Sequence, residues 1–349
     1  MSSQSGHTGS ILALVLAIIS GHAGAQVLDL NASTPTLDRW MYPFNGTPGS
    51  RAIASIFYSG DEPMFDDRDA QFIVGFDSNA SVPVGLDVGE YRVVSATVRA
   101  WIDNDDQFLY DPTPDPTSSY YDELDPDFTA DEDLGRPIEL FGLAYREGFD
   151  TQSWGETTFF GVDPLSEEAR TAFAATFDTS GASTDVSNQV RDRIDAVPLA
   201  IGAIPGLTPG QSVEAGSEVV FELDLCTPGA RQYVAHSLAG GRVNLVITSL
   251  HPAAGGPGGQ QGDTTFPIWR TRENLLSIIQ DEAPKLELTV RVGSAGNYDG
   301  LGEADFSDVL AFLSDFGAGS PLADLEPDCS LDFGDVLRFL IEFSEASGG

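Results

Sequence analysis

The chain has 349 residues, with 54 Asp or Glu against 17 Lys or Arg, and its formal net charge is −37 at pH 7. This charge excludes nucleic acid and anionic membranes as partners, because both bind basic protein surfaces. A hydrophobic content of 41% excludes a disordered chain and provides enough apolar residues for a packed core.

The N-terminus has the pattern of a signal peptide. The apolar stretch at residues 11–20 is too short to span a bilayer, and it precedes the small residues Ala23, Gly24 and Ala25. We predict a signal peptide over residues 1–25, although no Lys or Arg precedes the apolar stretch. Because no later run of 18 apolar residues occurs, we expect a secreted protein, extracellular or at the cell surface, without a transmembrane segment.

Residues 26–292 contain short apolar segments separated by clusters of Gly, Pro, Asn and Asp, a pattern that predicts strands and turns. The predicted strands are 54–58, 71–76, 91–102, 139–146, 219–225, 242–250 and 285–292. We therefore predict a mainly β fold, an antiparallel jelly-roll-like β-sandwich. The exception is PLSEEARTAF, residues 164–173, where Ser166 followed by two Glu predicts a short helix.

Several of these segments resemble the β-sandwiches of DNRLRE-type and related carbohydrate-binding modules of secreted bacterial proteins. They are RAIASIF (51–57), AQFIVGFD (70–77), YRVVSATVRAWI (91–102) and FPIWRTRENLLSIIQDEAPKLELTVRV (266–292). In the last of these, Arg272 and Glu273 match an Arg-Glu pair that precedes the final strand in those proteins. The resemblance implies that residues 26–292, here called the body, are non-catalytic and have polysaccharide as a candidate ligand.

An acidic insertion at residues 103–133 contains twelve acids and no Lys or Arg, with several Asp-Pro pairs that predict a loop. One hypothesis is a calcium site formed by Asp103, Asp105 and Asp106, since clustered carboxylates are what calcium needs. The alternative is a solvated acidic loop.

The segment FDDRDAQF, residues 65–72, is a second acidic cluster that either binds a cation or has a structural role. Asp66, Asp67 and Asp69 are spaced closely enough for a cation site. Alternatively, Arg68 forms an ion pair with one of them, and the carboxylates have a structural role only.

A hydrolytic site has no signature in this sequence. Glycoside hydrolysis uses two carboxylates that flank the scissile bond, but a chain this acidic offers many pairs. His236 and His251 are the only histidines after residue 25, and Ser249-Leu250-His251 matches no nucleophile elbow. We expect a non-catalytic protein; the alternative is a secreted polysaccharide-degrading enzyme, a glycoside hydrolase or lyase.

The aromatic and sulfur-containing side chains leave two further alternatives. Trp40, Trp101, Trp154 and Trp269 either pack in the core or stack on sugar rings if they are exposed. The two cysteines, Cys226 and Cys329, either form one disulfide or remain as buried thiols.

Residues 297–343 contain two copies of one pattern, NYDGLGEADFSDVLAFLSDF (297–316) and DLEPDCSLDFGDVLRFLIEF (324–343), offset by 27 residues. A fixed offset with matched side chains indicates a repeated supersecondary unit. Each copy opens with an acidic loop of twelve residues whose spacing resembles the EF-hand calcium loop. The candidate Ca²⁺ ligands are Asn297, Asp299, Glu303, Asp305 and Asp308 in the first copy, and Asp324, Glu326, Asp328, Ser330, Asp332 and Asp335 in the second.

The two loops differ at loop positions five and six. Leu301 stands at position five of the first loop, where an oxygen ligand is expected, so we expect the second loop to bind calcium more tightly. Gly302 provides the sharp turn at position six, whereas Cys329 occupies this position in the second loop. A residue other than Gly with positive φ would be strained there.

Each loop is followed by apolar residues at the i, i+3, i+4, i+7 spacing of an amphipathic helix. These residues are Val309, Phe312, Leu313 and Phe316 in the first copy, and Val336, Phe339, Leu340 and Phe343 in the second. No helix is predicted before either loop, since residues 284–296 have the pattern of a strand followed by coil. The repeated unit is therefore a loop and then a helix.

Duplicated loop-and-helix units of this kind resemble dockerins of the planctomycete type, which are small calcium-folded modules that attach secreted proteins to a cohesin partner. The resemblance implies a small C-terminal α-helical dockerin/EF-hand-like module over residues 293–349, which would bind a cohesin-like or other extracellular protein. Partner contacts in dockerins fall near loop positions ten and eleven, here Phe306 and Ser307 or Phe333 and Gly334.

Two alternatives to this interpretation remain. The acids could simply cap two surface helices, because carboxylates such as Asp308 and Asp335 are favoured at helix N-termini. The protein could also be a structural surface protein whose duplicated tail packs on its own body.

Overall fold

The computed structural model describes residues 25–60, 64–227, 229–253, 265–326 and 328–348. The predicted signal peptide lies outside these residues, apart from Ala25. The strands are β1 (Gln26–Ala32), β2 (Leu37–Met41), β3 (Ile53–Ser55), β4 (Gln71–Asp77), β5 (Tyr91–Trp101), β6 (Ile138–Tyr145), β7 (Ala172–Phe177), β8 (Ser183–Asp185), β9 (Ala200–Ile201), β10 (Glu218–Glu222), β11 (Arg242–Ser249), β12 (Ile268–Arg270) and β13 (Lys285–Val292). The helices are α1 (Ala230–Gly240), α2 (Leu275–Gln280), α3 (Phe306–Ala318) and α4 (Phe333–Ser347).

The prediction of a mainly β fold is confirmed. One sheet has the strand order β1-β13-β5-β10, and a larger sheet has the order β2-β4-β11-β6-β7-β8, with β9 beside β6. A third, two-stranded sheet pairs β12 with β3. Pairings between these strands are antiparallel throughout the part of the chain that the structure describes.

The two larger sheets share one hydrophobic core. Phe72 and Val74 of β4 and Leu245 of β11 belong to the same buried cluster as Val98 of β5 and Leu288 of β13. Because alternate residues of a strand point to opposite faces of the sheet, these side chains define the inner faces of the two sheets. Their burial from water is the main apolar contribution to the stability of the body, residues 26–292.

The outer face of the larger sheet is also buried. Ile73 of β4, Phe141 of β6 and Val246 of β11 pack with Trp154, which follows β6 in a long connection. This second cluster explains why β4 is an almost continuous apolar run, since a strand covered on both faces has no polar side.

Most of the predicted strands are present, but the predicted helix at residues 164–173 is wrong. That segment forms turns and then enters β7. Glu168 has a φ of 55°, which no right-handed helix accommodates. Its backbone N–H donates to Asp66 Oδ1 at 2.9 Å, and the Arg170 side chain donates to Asp66 Oδ2 at 2.7 Å. Tertiary contacts with Asp66 therefore override the local helical pattern.

The sequence pattern did not predict the two helices of the body. α1 lies between Gly229 and Gly241, both with positive φ, and it buries Tyr233, Val234 and Leu238 against the shared core. α2 begins after Asn274, whose side chain accepts a hydrogen bond from Leu276 N–H. Among the described residues, no helix combines the length and apolar character needed to cross a bilayer.

The C-terminal segment, residues 293–348, contains α3 and α4, each directly after one of the acidic loops. Phe312 of α3 and Phe339 of α4 are both buried, and their rings stack with centroids 4.4 Å apart and planes 4° from parallel. Phe312 and Phe339 occupy equivalent positions in the two copies, so the two copies pack against each other through the same residue. Leu313 and Leu340 belong to the predicted apolar stripe but are 49% and 47% exposed.

Several contacts join this segment to the body. Cys226 and Cys329 form a disulfide, which decides between the two alternatives for the cysteines. Arg92 of β5 pairs with Glu342 of α4 at 2.9 Å. The guanidinium of Arg291, at the end of β13, lies over the Tyr298 ring, 3.5 Å from its centroid. The loops and helices are therefore held against the body.

We predict that Phe339→Ala destabilises the C-terminal helices by about 3–5 kcal/mol, because it empties a buried aromatic site. Phe333→Ala is the matched control, since Phe333 lies on the same helix and is 73% exposed. Urea unfolding followed by far-UV circular dichroism measures both. Equal effects of the two substitutions would contradict the central role of the aromatic stack.

Candidate functional site

In the first acidic loop, residues 297–308, backbone N–H groups converge on one buried carboxylate. Asp308 is fully buried and accepts hydrogen bonds from Asp299 N–H at 2.9 Å and from Asp305 N–H at 2.7 Å. Asp305 is the N-cap of α3, and hydrogen bonds from Ser307 lower the pKa of its carboxyl. The end of the loop and the first turn of the helix are thus one hydrogen-bonded unit.

The second loop, residues 324–335, repeats this arrangement. Asp335 is fully buried and accepts from Glu326 N–H and Asp332 N–H, both at 2.9 Å, and from Leu325 N–H at 2.7 Å. Asp332 is the N-cap of α4 and accepts from Gly334 N–H. The internal repeat therefore extends from the sequence to individual hydrogen bonds.

Helix capping, one of the two interpretations of these acids, is thus present in both copies. Capping and cation binding are compatible, because an ionised carboxylate has about four lone-pair sites. Capping by Asp308 and Asp335 does not account for the acids earlier in the loops.

Position six has the predicted backbone conformation in both loops. Gly302 has a φ of 73°, and Cys329 has a φ of 62°. The expectation of a strained residue other than Gly is therefore confirmed for Cys329. The disulfide to Cys226 involves this same residue.

The residue at position one of each loop has a buried side-chain oxygen without a hydrogen-bond partner among the described residues. Asn297 and Asp324 are each 8% exposed, and the Oδ1 atom of each is buried without a hydrogen-bond partner among the described residues. Asn297 Nδ2 donates to Gly302 O at 2.9 Å. An unpartnered buried oxygen costs about 1–3 kcal/mol, and such atoms commonly face an ion or a water molecule.

Arg231 of α1 provides a positive charge at the second loop. Its Nη2 lies 2.7 Å from Asp324 Oδ2, and the same atom donates to Cys329 Sγ. The second loop carries five carboxylates and the first carries four, so this ion pair leaves both loops with the same net negative charge.

The remaining predicted ligands are spread more widely. Asp299 Oδ1 accepts from Leu301 N–H, and Asp328 Oδ1 accepts from Ser330 N–H, both at 2.8 Å. Glu303 lies on the first loop beside Gly302. In the part of the chain that the structure describes, neither loop brings three carboxylates within 4.8 Å of one another.

The structure does not bring Asp103, Asp105 and Asp106 together as a cation site. Asp103 Oδ1 accepts hydrogen bonds from Arg270 and Asn274, both at 3.2 Å, and Asp105 Oδ1 accepts from Ala215 N–H. The insertion gathers a different set instead, Asp111, Asp115 and Asp133, whose ligand oxygens lie within 4.8 Å of one another.

The DDRD acids form a buried polar network rather than an exposed site. Arg68 pairs at 2.6 Å with Glu139 of β6 and not with a neighbouring Asp, so the predicted local pairing is wrong. Burial favours the neutral form of Asp66, but Arg170 and hydrogen bonds hold the pKa of this carboxyl below its usual value. Burial raises the pKa of Asp69 to about 7 despite Arg170.

Ser249 and His251 lie side by side and are almost completely buried. His251 Nδ1 is 3.0 Å from Ser249 Oγ, and both residues are buried. The His251 ring packs edge-on against Phe108. The two side chains therefore pack in the interior of the protein.

The tryptophans contribute mainly to packing. Trp154 and Trp269 are almost fully buried, and Trp101 is 9% exposed. Trp40 is half-buried, stacks on Tyr42 and has the Arg51 guanidinium over its ring. A flat platform of exposed tryptophans for sugar stacking is therefore not formed by these four residues.

No protein-family model matches the sequence, and no curated protein matches it either. The dockerin and carbohydrate-binding-module resemblances therefore depend on the sequence motifs alone.

We predict that the buried, neutral His251 makes the protein less stable to unfolding at low pH. Burial lowers the pKa of this imidazole to about 3, against about 6.5 in an unfolded chain. The unfolded chain thus binds a proton that the native protein does not bind, and stability is lost as pH falls from about 6.5 towards 3. Between pH 7 and pH 4 the free energy of unfolding should decrease in both proteins. The decrease should be roughly 1–3 kcal/mol smaller for His251→Asn than for the parent.

The measurement is urea unfolding at several pH values, with the exposed His236→Asn as the matched control. His236→Asn should have the pH profile of the parent. A His251→Asn profile parallel to that of the parent would contradict the buried neutral imidazole.

Proposed function

We propose that the protein is a secreted, non-catalytic anchoring protein that binds calcium. Its body would be a jelly-roll-like β-sandwich of the carbohydrate-binding-module type. Residues 293–349 would be a dockerin-like module that holds the protein to an extracellular partner. The observation that carries the proposal is the pair of buried, unpartnered Oδ1 atoms of Asn297 and Asp324 at position one of the two loops.

Calcium fits the atoms that these loops offer. It prefers six to eight oxygen ligands, drawn from carboxylates, side-chain amides and backbone carbonyls. Asn297 and Asp324 would each contribute the unpartnered Oδ1, while Asp308 and Asp335 are already oriented by backbone hydrogen bonds. A bound cation would supply a partner for the position-one oxygens and offset the repulsion among the loop carboxylates.

The proposed partner surface is an apolar face repeated on α3 and α4. Phe306 and Phe333, at loop position ten, are 69% and 73% exposed. Leu310 and Leu337, one turn further along each helix, are 55% and 48% exposed. Exposed apolar residues in one patch mark protein interaction surfaces, and the dockerin resemblance places the partner contacts at the same loop position.

A structural surface protein is the second candidate function. It is favoured by the links that hold the C-terminal segment to the body, namely the Cys226–Cys329 disulfide and the ion pairs of Arg92 and Arg231. In that case the calcium loops would stabilise an internal junction, and Phe306 and Phe333 would have no partner protein. Binding of a cohesin-like protein that requires both phenylalanines distinguishes the two functions.

We predict that the full-length protein takes up calcium in both loops. Asp324→Ala should remove the tighter site and Asn297→Ala the weaker one, because the second loop supplies more carboxylates and the first has Leu301 at a ligand position. At free calcium of 100 times the dissociation constant, linkage adds about 2.7 kcal/mol to stability.

Isothermal titration calorimetry of the parent and the two variants measures stoichiometry and affinity. Glu345→Ala, an exposed acid on α4 outside the loops, is the control and should leave both unchanged. Unchanged stoichiometry in both loop variants would reject the calcium role of the loops.

We also predict that Arg231 lowers the calcium affinity of the second loop. Its guanidinium lies on Asp324 Oδ2, so a cation bound there must share this carboxylate with a positive charge. Arg231→Met should raise the affinity of this site by roughly two- to tenfold. Arg338→Met, which removes an exposed arginine on α4, is the control. A weaker site in Arg231→Met would instead show that Arg231 positions Asp324 for binding.

A further inference from the structure

The acidic insertion contains a cluster of carboxylates that is separate from the C-terminal loops. Asp111, Asp115 and Asp133 each present an oxygen, and these three atoms lie within 4.8 Å of one another. Asp111 is buried, Asp115 is partly buried and Asp133 is exposed. The cluster therefore has a closed side in the fold and an open side towards solvent.

The buried member of the cluster has an unused oxygen. Asp111 is 2% exposed, and its Oδ1 accepts hydrogen bonds from Thr113 N–H at 2.8 Å and Thr113 Oγ1 at 2.6 Å. Its Oδ2 is buried and has no hydrogen-bond partner among the described residues. Since a buried carboxylate oxygen without a donor is costly, this atom points to a ligand that the protein chain itself does not supply.

The local charges favour a cation as that ligand. A fourth carboxylate, Asp131, lies beside the cluster. Arg136 forms ion pairs with both Asp115 and Asp131, its Nη1 lying 2.8 Å from Asp115 Oδ2 and 2.6 Å from Asp131 Oδ2. Four carboxylates and one guanidinium leave three negative charges uncompensated.

The surrounding backbone holds the cluster in place. Gly135 has a φ of 113°, and a Cβ at this position would lie 2.9 Å from Leu109 O and 3.0 Å from Asp111 Cβ. Only glycine allows this close approach, which brings the segment of Asp133 against that of Asp111. Tyr120 Oη donates to Asp115 Oδ2 at 2.8 Å and fixes the third carboxylate.

We propose that Asp111, Asp115 and Asp133 form a calcium site that ties the two ends of the acidic insertion together. Carboxylate oxygens are ligands for hard cations, and calcium tolerates the irregular geometry of a loop site better than magnesium, which demands near-ideal octahedral coordination. The bound ion supplies a partner for Asp111 Oδ2 and closes the loop between residues 111 and 133. This inference does not depend on calcium binding by the C-terminal loops.

The test uses the full-length protein carrying Asn297→Ala and Asp324→Ala, so that the C-terminal loops do not contribute. Isothermal titration with calcium chloride should show one site per chain in this background. Adding Asp133→Asn should weaken the site at least tenfold, and adding Asp111→Asn should abolish it. Asp122→Asn, an exposed acid of the same insertion outside the cluster, is the matched control and should have no effect.

Absence of calcium uptake in this background overturns the proposal, as does uptake that neither Asp111→Asn nor Asp133→Asn changes. Asp133 is exposed, so its variant remains decisive if Asp111→Asn does not fold. Magnesium that binds with higher affinity than calcium would overturn the assignment of the ion. Calcium retained in the background supports this site even if the loop variants show that the C-terminal loops bind none.

Discussion

Pairing of buried carboxylates with a small number of arginines is the interaction on which the packing of this acidic chain depends. The chain has 54 acids and 17 basic residues, and some arginines pair with more than one acid, as Arg136 does with Asp115 and Asp131. Arg68 joins the connection before β4 to Glu139 of β6, and Arg170 joins Asp66 to the start of β7. A planar guanidinium suits this task, because it donates in several directions and stays charged when it is buried. Removing one partner would leave an uncompensated charge in the core.

The buried side-chain oxygens of the chain differ in how completely they are hydrogen-bonded. The buried carboxylate of Asp66, which pairs with Arg170, has a partner on each oxygen. Other buried side-chain oxygens have no donor among the described residues, even where the second oxygen of the carboxylate pairs with an arginine, as in Asp324. Asn297 and Asp324 in the C-terminal loops and Asp111 in the insertion are of this kind. The three proposed calcium sites, two in the C-terminal loops and one in the insertion, each contain one of these oxygens.

The C-terminal segment combines internal repetition with attachment to the body. Phe312 stacks on its equivalent Phe339, and the equivalent N–H groups of Asp299 and Glu326 donate to the equivalent carboxylates of Asp308 and Asp335. The second copy departs from the repeat at Cys329, which adopts the glycine-like conformation and forms the disulfide to Cys226. Arg231 contacts the same loop. The second loop is therefore joined to the body by a disulfide and an ion pair.

The sequence alone determined the features that depend on local patterns. Apolar segments between turn residues predicted β4, β5, β6, β11 and β13, and the offset of 27 residues predicted two equivalent loop-and-helix units with their positive-φ turn. Contacts between distant residues were decided by the tertiary structure alone. Residues 164–173 form turns instead of the predicted helix, because Glu168 N–H is hydrogen-bonded to Asp66. Arg68 pairs with Glu139 and not with the aspartates beside it in the sequence. Local spacing carries no information about such partners, because the free energy of a buried charge depends on which distant group reaches it. The Asp111 cluster and the disulfide across 103 residues were decided in the same way.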